Sequence, residues 1–331
     1  MLRALPLFLL LCSSAIAQED PDLPPGIPKS IKDEVRRTYQ VLPSGDVAYL
    51  ASTVGVVVAE IKDPARPRYL AGLPLPDSVN GLALVDRRRL LVANGPAGVS
   101  VVDVADPAHP RRTAALRLHG AAMGVDGAGS TAVVALGTLG VQVLELKDRP
   151  RAGDHRDTPG YARAVRLAGD VVYVADGDAG VQILRLKQGK LSPLSAVSCQ
   201  GHVFGLALQG KTLYAAAGHA GLLLVDVTRP EAPRVVGRFR ARDGIRGVAV
   251  SGATAVVTDT TAGIARLDLS KPSAPRETGR LKPERAVNRV ALRGDLALVA
   301  NDYDGLLVLR LPSAGQPVVV ASLPPPKKKS K

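Results

Sequence analysis

A glycine recurs seven times in the chain at nearly constant spacing, and each copy opens an apolar run. The seven are Gly55, Gly98, Gly140, Gly180, Gly221, Gly263 and Gly305, spaced by 43, 42, 40, 41, 42 and 42 residues. The runs after them read VVVAEIKDP, VSVVDVADP, VQVLELKDR, VQILRLKQG, LLLVDVTRP, IARLDLSKP and LLVLRLPSA. The clearest copy spans Gly169 to Leu186. There a Gly-Asp turn precedes Val171 to Ala175, a Gly/Asp-rich turn covers 176–180, and Val181 to Leu186 completes a β-hairpin. Four strands of about five residues, with connections of about four to six, fill such a period. A β-helix coil is much shorter, and a helical repeat would show a 3.6-residue apolar spacing between the hairpins. The sequence therefore predicts an all-β fold: one seven-bladed β-propeller of four-stranded antiparallel blades over residues 35–323.

Two further features carry a family likeness. One is the strand core Leu223-Leu224-Val225-Asp226-Val227, with Val101-Val102-Asp103-Val104 as its partial copy. The other is the turn that follows: Asp63-Pro64-Ala65-Arg66-Pro67, Asp106-Pro107-Ala108-His109-Pro110, Arg229-Pro230-Glu231-Ala232-Pro233 and Lys271-Pro272-Ser273-Ala274-Pro275. In these the chain resembles the LVIVD-repeat family of bacterial envelope proteins over about residues 35 to 323; the third, fourth and seventh copies lack the full turn. The resemblance implies a propeller in the cell envelope and names no activity. A WD40 reading fails because the chain has no Trp, and no kelch-type Gly-Gly signature is present.

The ends point to export. Arg3, the apolar Leu5 to Leu11 and Ala15-Ile16-Ala17 match a cleaved signal peptide over residues 1–17. Cys12 raises a lipoprotein alternative, against which Leu11 argues, since a small residue belongs there. Cleavage leaves Cys199 as the sole cysteine and excludes an internal disulfide. Residues 18–34 read as an exposed leader, and 324–331 as a Pro/Lys-rich tail, either merely solvating or tethering the protein to anionic polymer or lipid. The expected location is periplasmic, outer-envelope associated or secreted, with no transmembrane segment once the signal is removed. A monomer is expected.

Blade geometry sorts side chains by face. With strands A to D numbered from the axis outward, the A–B and C–D loops share one face, and the B–C and D–A loops share the other. The first face collects a basic cluster, Arg87, Arg88, Arg89, Arg111 and Arg112, within a net charge of +13. Such a face either steers anionic partners or merely reflects a surface preference for Arg over Lys. The second collects Asp176, Asp178, Asp259, Asp302, Asp304 and His219. The start of strand A gives a ring of seven on this second face: Tyr39, Asn80, Met123, Arg163, Phe204, Arg246 and Asn288. The next position is mostly tiny (Gln40, Gly81, Gly124, Ala164, Gly205, Gly247, Arg289), and the one after is always apolar. A repeat position free to diversify at a channel mouth is either a ligand site or a plug.

Catalytic patterns are sparse. The five histidines show no metal spacing and no G-x-S-x-G elbow occurs. Asp176-x-Asp178 and Asp302-x-Asp304-Gly305 begin like a calcium loop but lack the twelfth-position acid, so calcium is disfavoured and no cofactor is expected. With 3% aromatic residues there is no stacking platform for nucleic acid. The expectation is a non-enzymatic binding or scaffold propeller contacting protein or anionic envelope polymer. The alternative is a hydrolase or lyase with a metal or acidic site on the axial face, which requires acids from several inner strands to converge.

Overall fold

In the computed structural model, residues 37–147, 149–313 and 315–324 are described. The signal peptide, the leader and all of the tail beyond Pro324 lie outside them. Among the described residues, twenty-eight strands form seven sheets, each of four consecutive antiparallel strands. The blades cover 38–74, 81–116, 124–156, 164–197, 205–239, 245–281 and 290–323. No helix among the described residues is long and apolar enough to cross a membrane.

The hydrophobic core is divided into seven layers, one between each pair of neighbouring blades. Tyr49, Val56 and Val58 of blade 1 pack on Leu82, Leu90 and Val92 of blade 2. Val41, Leu50 and Val57 of blade 1 pack on Leu298, Leu306 and Val308 of blade 7. Each apolar strand is thus buried on both faces, which is why the B and C strands read as continuous apolar runs rather than alternating ones.

The recurring glycine has a steric cause. All seven open strand C with positive φ, from +70° at Gly140 to +141° at Gly55. A Cβ at Gly55, Gly98, Gly140, Gly180, Gly221 or Gly263 would stand 2.0–2.3 Å from a carbonyl oxygen of strand D. Every C–D pair also slips register once, as between Val58 and Ala59 or Leu224 and Val225. This bulge adds twist to the outer strand.

The repeat's aspartate closes the outer hairpin. Oδ1 of Asp103, Asp226 and Asp268 accepts the amide of Ala105 (3.0 Å), Thr228 (2.9 Å) and Ser270 (2.9 Å), an Asx turn that starts the C–D loop. The D-P-A-x-P segment then forms a one-turn loop, with Arg66 N donating to Asp63 O and His109 N to Asp106 O. Proline pre-sets φ at the second position of such a turn. Blade 4, which lacks this segment, instead uses a two-residue hairpin with Gln188 and Gly189 both at positive φ.

Ring closure uses no strand exchange: blade 1 and blade 7 are each built from consecutive strands. The seam is bridged as interior blade pairs are. Thr38 N donates to Asp302 O at 2.8 Å, the same bridge that joins Gly95 to Ala122 and Gly218 to Ile245 in interior blade pairs. Arg293 adds bonds to Ile61 O (2.7 Å) and Asp46 (3.0 Å).

Candidate functional site: the axial funnel

Strand A enters each blade from the D–A loop, so its first residue stands at the mouth of the channel. The structure gathers all seven positions singled out there. Tyr39, Asn80, Met123, Arg163, Phe204, Arg246 and Asn288, joined by Arg289, line one depression of about 350 Å³. Arg246 is exposed and the other six are half-buried. The tiny residues one step on let the A strands crowd around the axis: a Cβ at Gly124 would lie 2.7 Å from Arg163 O, and one at Gly247 3.0 Å from Asn288 O.

Aromatic rings hold the mouth arginines. The Arg163 guanidinium carbon lies 4.7 Å from the Tyr161 ring centre and 5.3 Å from that of Phe204, and Arg246 lies 5.3 Å from the same Phe204 ring. Arg163 Nε donates to His202 Nε2 at 2.6 Å, while His202 Nδ1 sits 3.0 Å from Asp178 Oδ1. These partners place the imidazole proton on Nδ1, donating to Asp178, with Nε2 as acceptor. Asn80 Nδ2 donates to Ala122 O (3.0 Å) and Asn288 Nδ2 to Thr38 O (2.9 Å), each reaching into the next blade.

Deeper in the channel are two arginines outside the mouth ring. Arg289 Nη1 donates to Gln40 Oε1 at 3.0 Å, and Gln40 in turn bonds both N and O of Leu82. Burial, then repulsion from Arg166 and Arg163, lowers the Arg289 pKa to about 10. Arg166 lies below, 4.0 Å from Asp126. Arg289 had a visible signal, as the one charged residue at a position otherwise small or amide. Arg166 and His202 had none, because Arg is common throughout the chain and His202 reaches the site only through the D–A loop.

None of the six residues assigned to the same-face loops lines the funnel, but two border it: Asp178 through His202 and Asp302 through Asn288. Asp176 and Asp259 are fully buried. Asp176 accepts from Thr158 Oγ1 (2.6 Å) and Gly160 N (2.9 Å), and burial raises its pKa. Asp259 accepts from the amides of Arg242 (3.0 Å) and Asp243 (3.1 Å) and pairs with Arg280 at 2.9 Å. Both tie their own blade's D–A loop to its B–C turn, so neither can meet a ligand. Asp304 pairs with Arg285 at 3.2 Å, Asp302 lies 3.9 Å from Arg37, and the exposed His219 contacts Asp243 O. Among the described residues, no three His, Cys, Asp or Glu side chains converge as a metal site would require.

The basic cluster on the opposite face is only partly paired, with two carboxylates among its five arginines. Arg88 pairs with Asp103 (2.8 Å) and Arg89 with Asp86 (2.7 Å). Arg89 also spans to blade 3, donating to Leu146 O and Gly129 O. Arg111 lies 3.9 Å from Asp103. Arg87 and Arg112 alone of the five have no ion-pair partner among the described residues. Cys199 is buried, with its thiol pKa pushed up to about 11 by desolvation, as befits an inert core residue.

The comparisons agree with this architecture. The LVIVD repeat family matches residues 159–184, 200–241 and 245–282, which fall in blades 4, 5 and 6. No curated protein matches the chain in sequence. Among solved structures, the computationally designed Ika8 protein superposes with a TM-score of 0.66 over 90% of this chain and 89% of that one, at 11% identity. The Myceliophteria thermophila Cps50 (Swd1) β-propeller domain superposes with 0.65 over 80% and 94%, at 14% identity. At such identities the likeness is one of fold alone. The chain is a seven-bladed β-propeller carrying LVIVD repeats.

Proposed function

We propose that the protein is a non-enzymatic binding propeller of the bacterial cell envelope that takes its ligand or partner at the axial funnel. One observation carries this reading. Seven equivalent repeat positions that take five different residue types line one depression, while the next position on the same strands is small in five blades and the one after is apolar in all seven. Packing constrains the uniform positions; the variable ones answer to something outside the repeat. The envelope assignment rests on the signal-peptide pattern of residues 1–17 and on the LVIVD repeats. A monomer acting alone suits a ring whose seven interfaces are all internal.

The hydrolase or lyase alternative needs carboxylates in the funnel, and the lining residues include none. Asp176 and Asp259 are instead bonded into loops, and Asp178 is taken up by His202.

Two experiments test the proposal. N-terminal sequencing of protein recovered from the periplasm or medium should begin at Gln18; retention of residues 1–17 in the cytoplasm rejects the envelope assignment. A thermal-shift panel of neutral and anionic glycans, peptides and small metabolites should raise the unfolding midpoint of the wild type with at least one ligand. That rise should vanish in Phe204→Ala with Asn80→Ala, whose own midpoint stays close to the wild type's. A ligand shift that survives the double variant moves the site elsewhere.

A further inference from the structure

The funnel has an unbalanced charge. Four arginines share the axis: Arg163 and Arg246 at the mouth, Arg289 between the mouth and the inner channel, and Arg166 below. The inner channel adds about 330 Å³ of space beyond the funnel. Among the described residues, Asp126 is the sole carboxylate within ion-pair distance of any of them; Asp178 reaches Arg163 only through His202. Asp126 lies 4.0 Å from Arg166, and its Oδ2 is already taken by the amide of Leu167 at 2.9 Å. Arg163 has a neutral imidazole and two aromatic faces, Arg246 has one aromatic face, and Arg289 has the amide oxygen of Gln40. None of these three has a carboxylate within ion-pair distance among the described residues.

The same fold shows how it treats an arginine buried for structure. Arg280 is enclosed at the outer edge of blade 6 and meets Asp259 at 2.9 Å and Glu277 at 2.7 Å. A desolvated guanidinium without such partners is costly. Nor does packing demand a long cation at Arg289, since four of the other blades carry glycine at the equivalent position and one carries alanine. A cation held where the repeat prefers nothing, beside two others and opposite no acid, is complete only with an anion.

Building on the funnel reading, we propose that the ligand is a small molecule bearing an oxyanion, a carboxylate or phosphate, which enters from the mouth and is held by Arg163, Arg246 and Arg289. Stacking on Tyr161 and Phe204 fixes the planes of the mouth guanidiniums, so their forked donors are pre-set for oxyanion geometry. Tyr39 and Asn80, from blades 1 and 2 across the funnel from blades 4 and 6, are placed to contact the uncharged part of the molecule. The anion-binding surface is therefore the axial funnel and not the outer Arg87–Arg112 cluster.

The test is calorimetric titration of the full mature chain with inorganic phosphate, with citrate and with alginate, a polycarboxylate too long to enter except by its end. Sodium chloride at matched ionic strength is the control. The expected result is saturable 1:1 binding of phosphate or citrate, weakened about tenfold or more in Arg246→Ala and in Arg289→Gln. Binding should be unchanged in Arg112→Ala. Arg246 is exposed, so its variant keeps the test valid if Arg289→Gln fails to fold. No saturable heat with either small anion overturns the proposal. So does binding of alginate alone with equal affinity in the arginine variants, which would place anions on the outer surface. A neutral ligand lost in Phe204→Ala, with no small anion bound, would reject the oxyanion and leave the funnel reading standing.

Discussion

At the scale of single residues, backbone geometry and charge compensation decide what each side chain is for. Gly180 and Gly169 both have positive φ, +79° and +61°, yet only Gly180 lies against another strand, where a Cβ would stand 2.3 Å from Val197 O. Nothing lies within 4 Å of the position at Gly169. Gly180→Ala should therefore destabilise by about 3 kcal/mol or more, and Gly169→Ala by about 1 kcal/mol, the cost of the left-handed conformation alone. Urea denaturation of the two variants checks this; equal losses would show that φ, not the strand contact, selects the glycine. The period of that glycine made the fold legible, because one steric requirement repeats in every blade. The roles of Asp176 and Asp259 were not legible in the same way. An acid in a Gly-rich turn reads alike whether its carboxylate faces solvent or folds inward onto Gly160 N or Asp243 N, and only the path of the D–A loop decides which.

At the scale of the element, the LVIVD aspartate is a turn device. Asp268 accepts from Ser270 Oγ and N and pairs with Arg276 at 3.1 Å, which together lower its pKa from 3.8 to about 2. A carboxylate whose folded value is depressed contributes stability above its unfolded value and loses it as pH falls through the folded one. Acid unfolding should therefore include a loss between about pH 4 and pH 2 to which this turn contributes. Asp268→Asn should make that part of the profile shallower while lowering stability at neutral pH. A wild-type profile flat over that range would remove the ion pair from the account. The repeat sequence announced this element, since D-P-A-x-P combines an Asx turn with proline at the second position. The two-residue turn at Gln188-Gly189 shows that the same outer hairpin can be closed by different chemistry.

At the scale of the whole molecule, seven equivalent layers of apolar side chains make the ring, and the axis is lined by polar and charged ones. The seam between blades 7 and 1 carries the same apolar layer and the same bridge as interior pairs. A chain threaded without strand exchange can thus close on packing and edge hydrogen bonds alone. The ring of diversified residues was visible in sequence because the repeat supplies an internal alignment against which variation stands out. The convergence of Arg166 and Arg289 was not, because charge along an axis is a sum over blades that no single repeat displays. The most direct measurement compares two triple variants against whichever ligand first raises the wild-type unfolding midpoint. One alters the funnel (Asn80→Ala, Phe204→Ala, Arg246→Ala), and the other alters the outer cluster (Arg87→Ala, Arg111→Ala, Arg112→Ala). The ligand-induced rise should disappear in the funnel variant and persist in the outer one; a rise lost only in the outer variant would contradict the axial site and return the binding surface to the basic face.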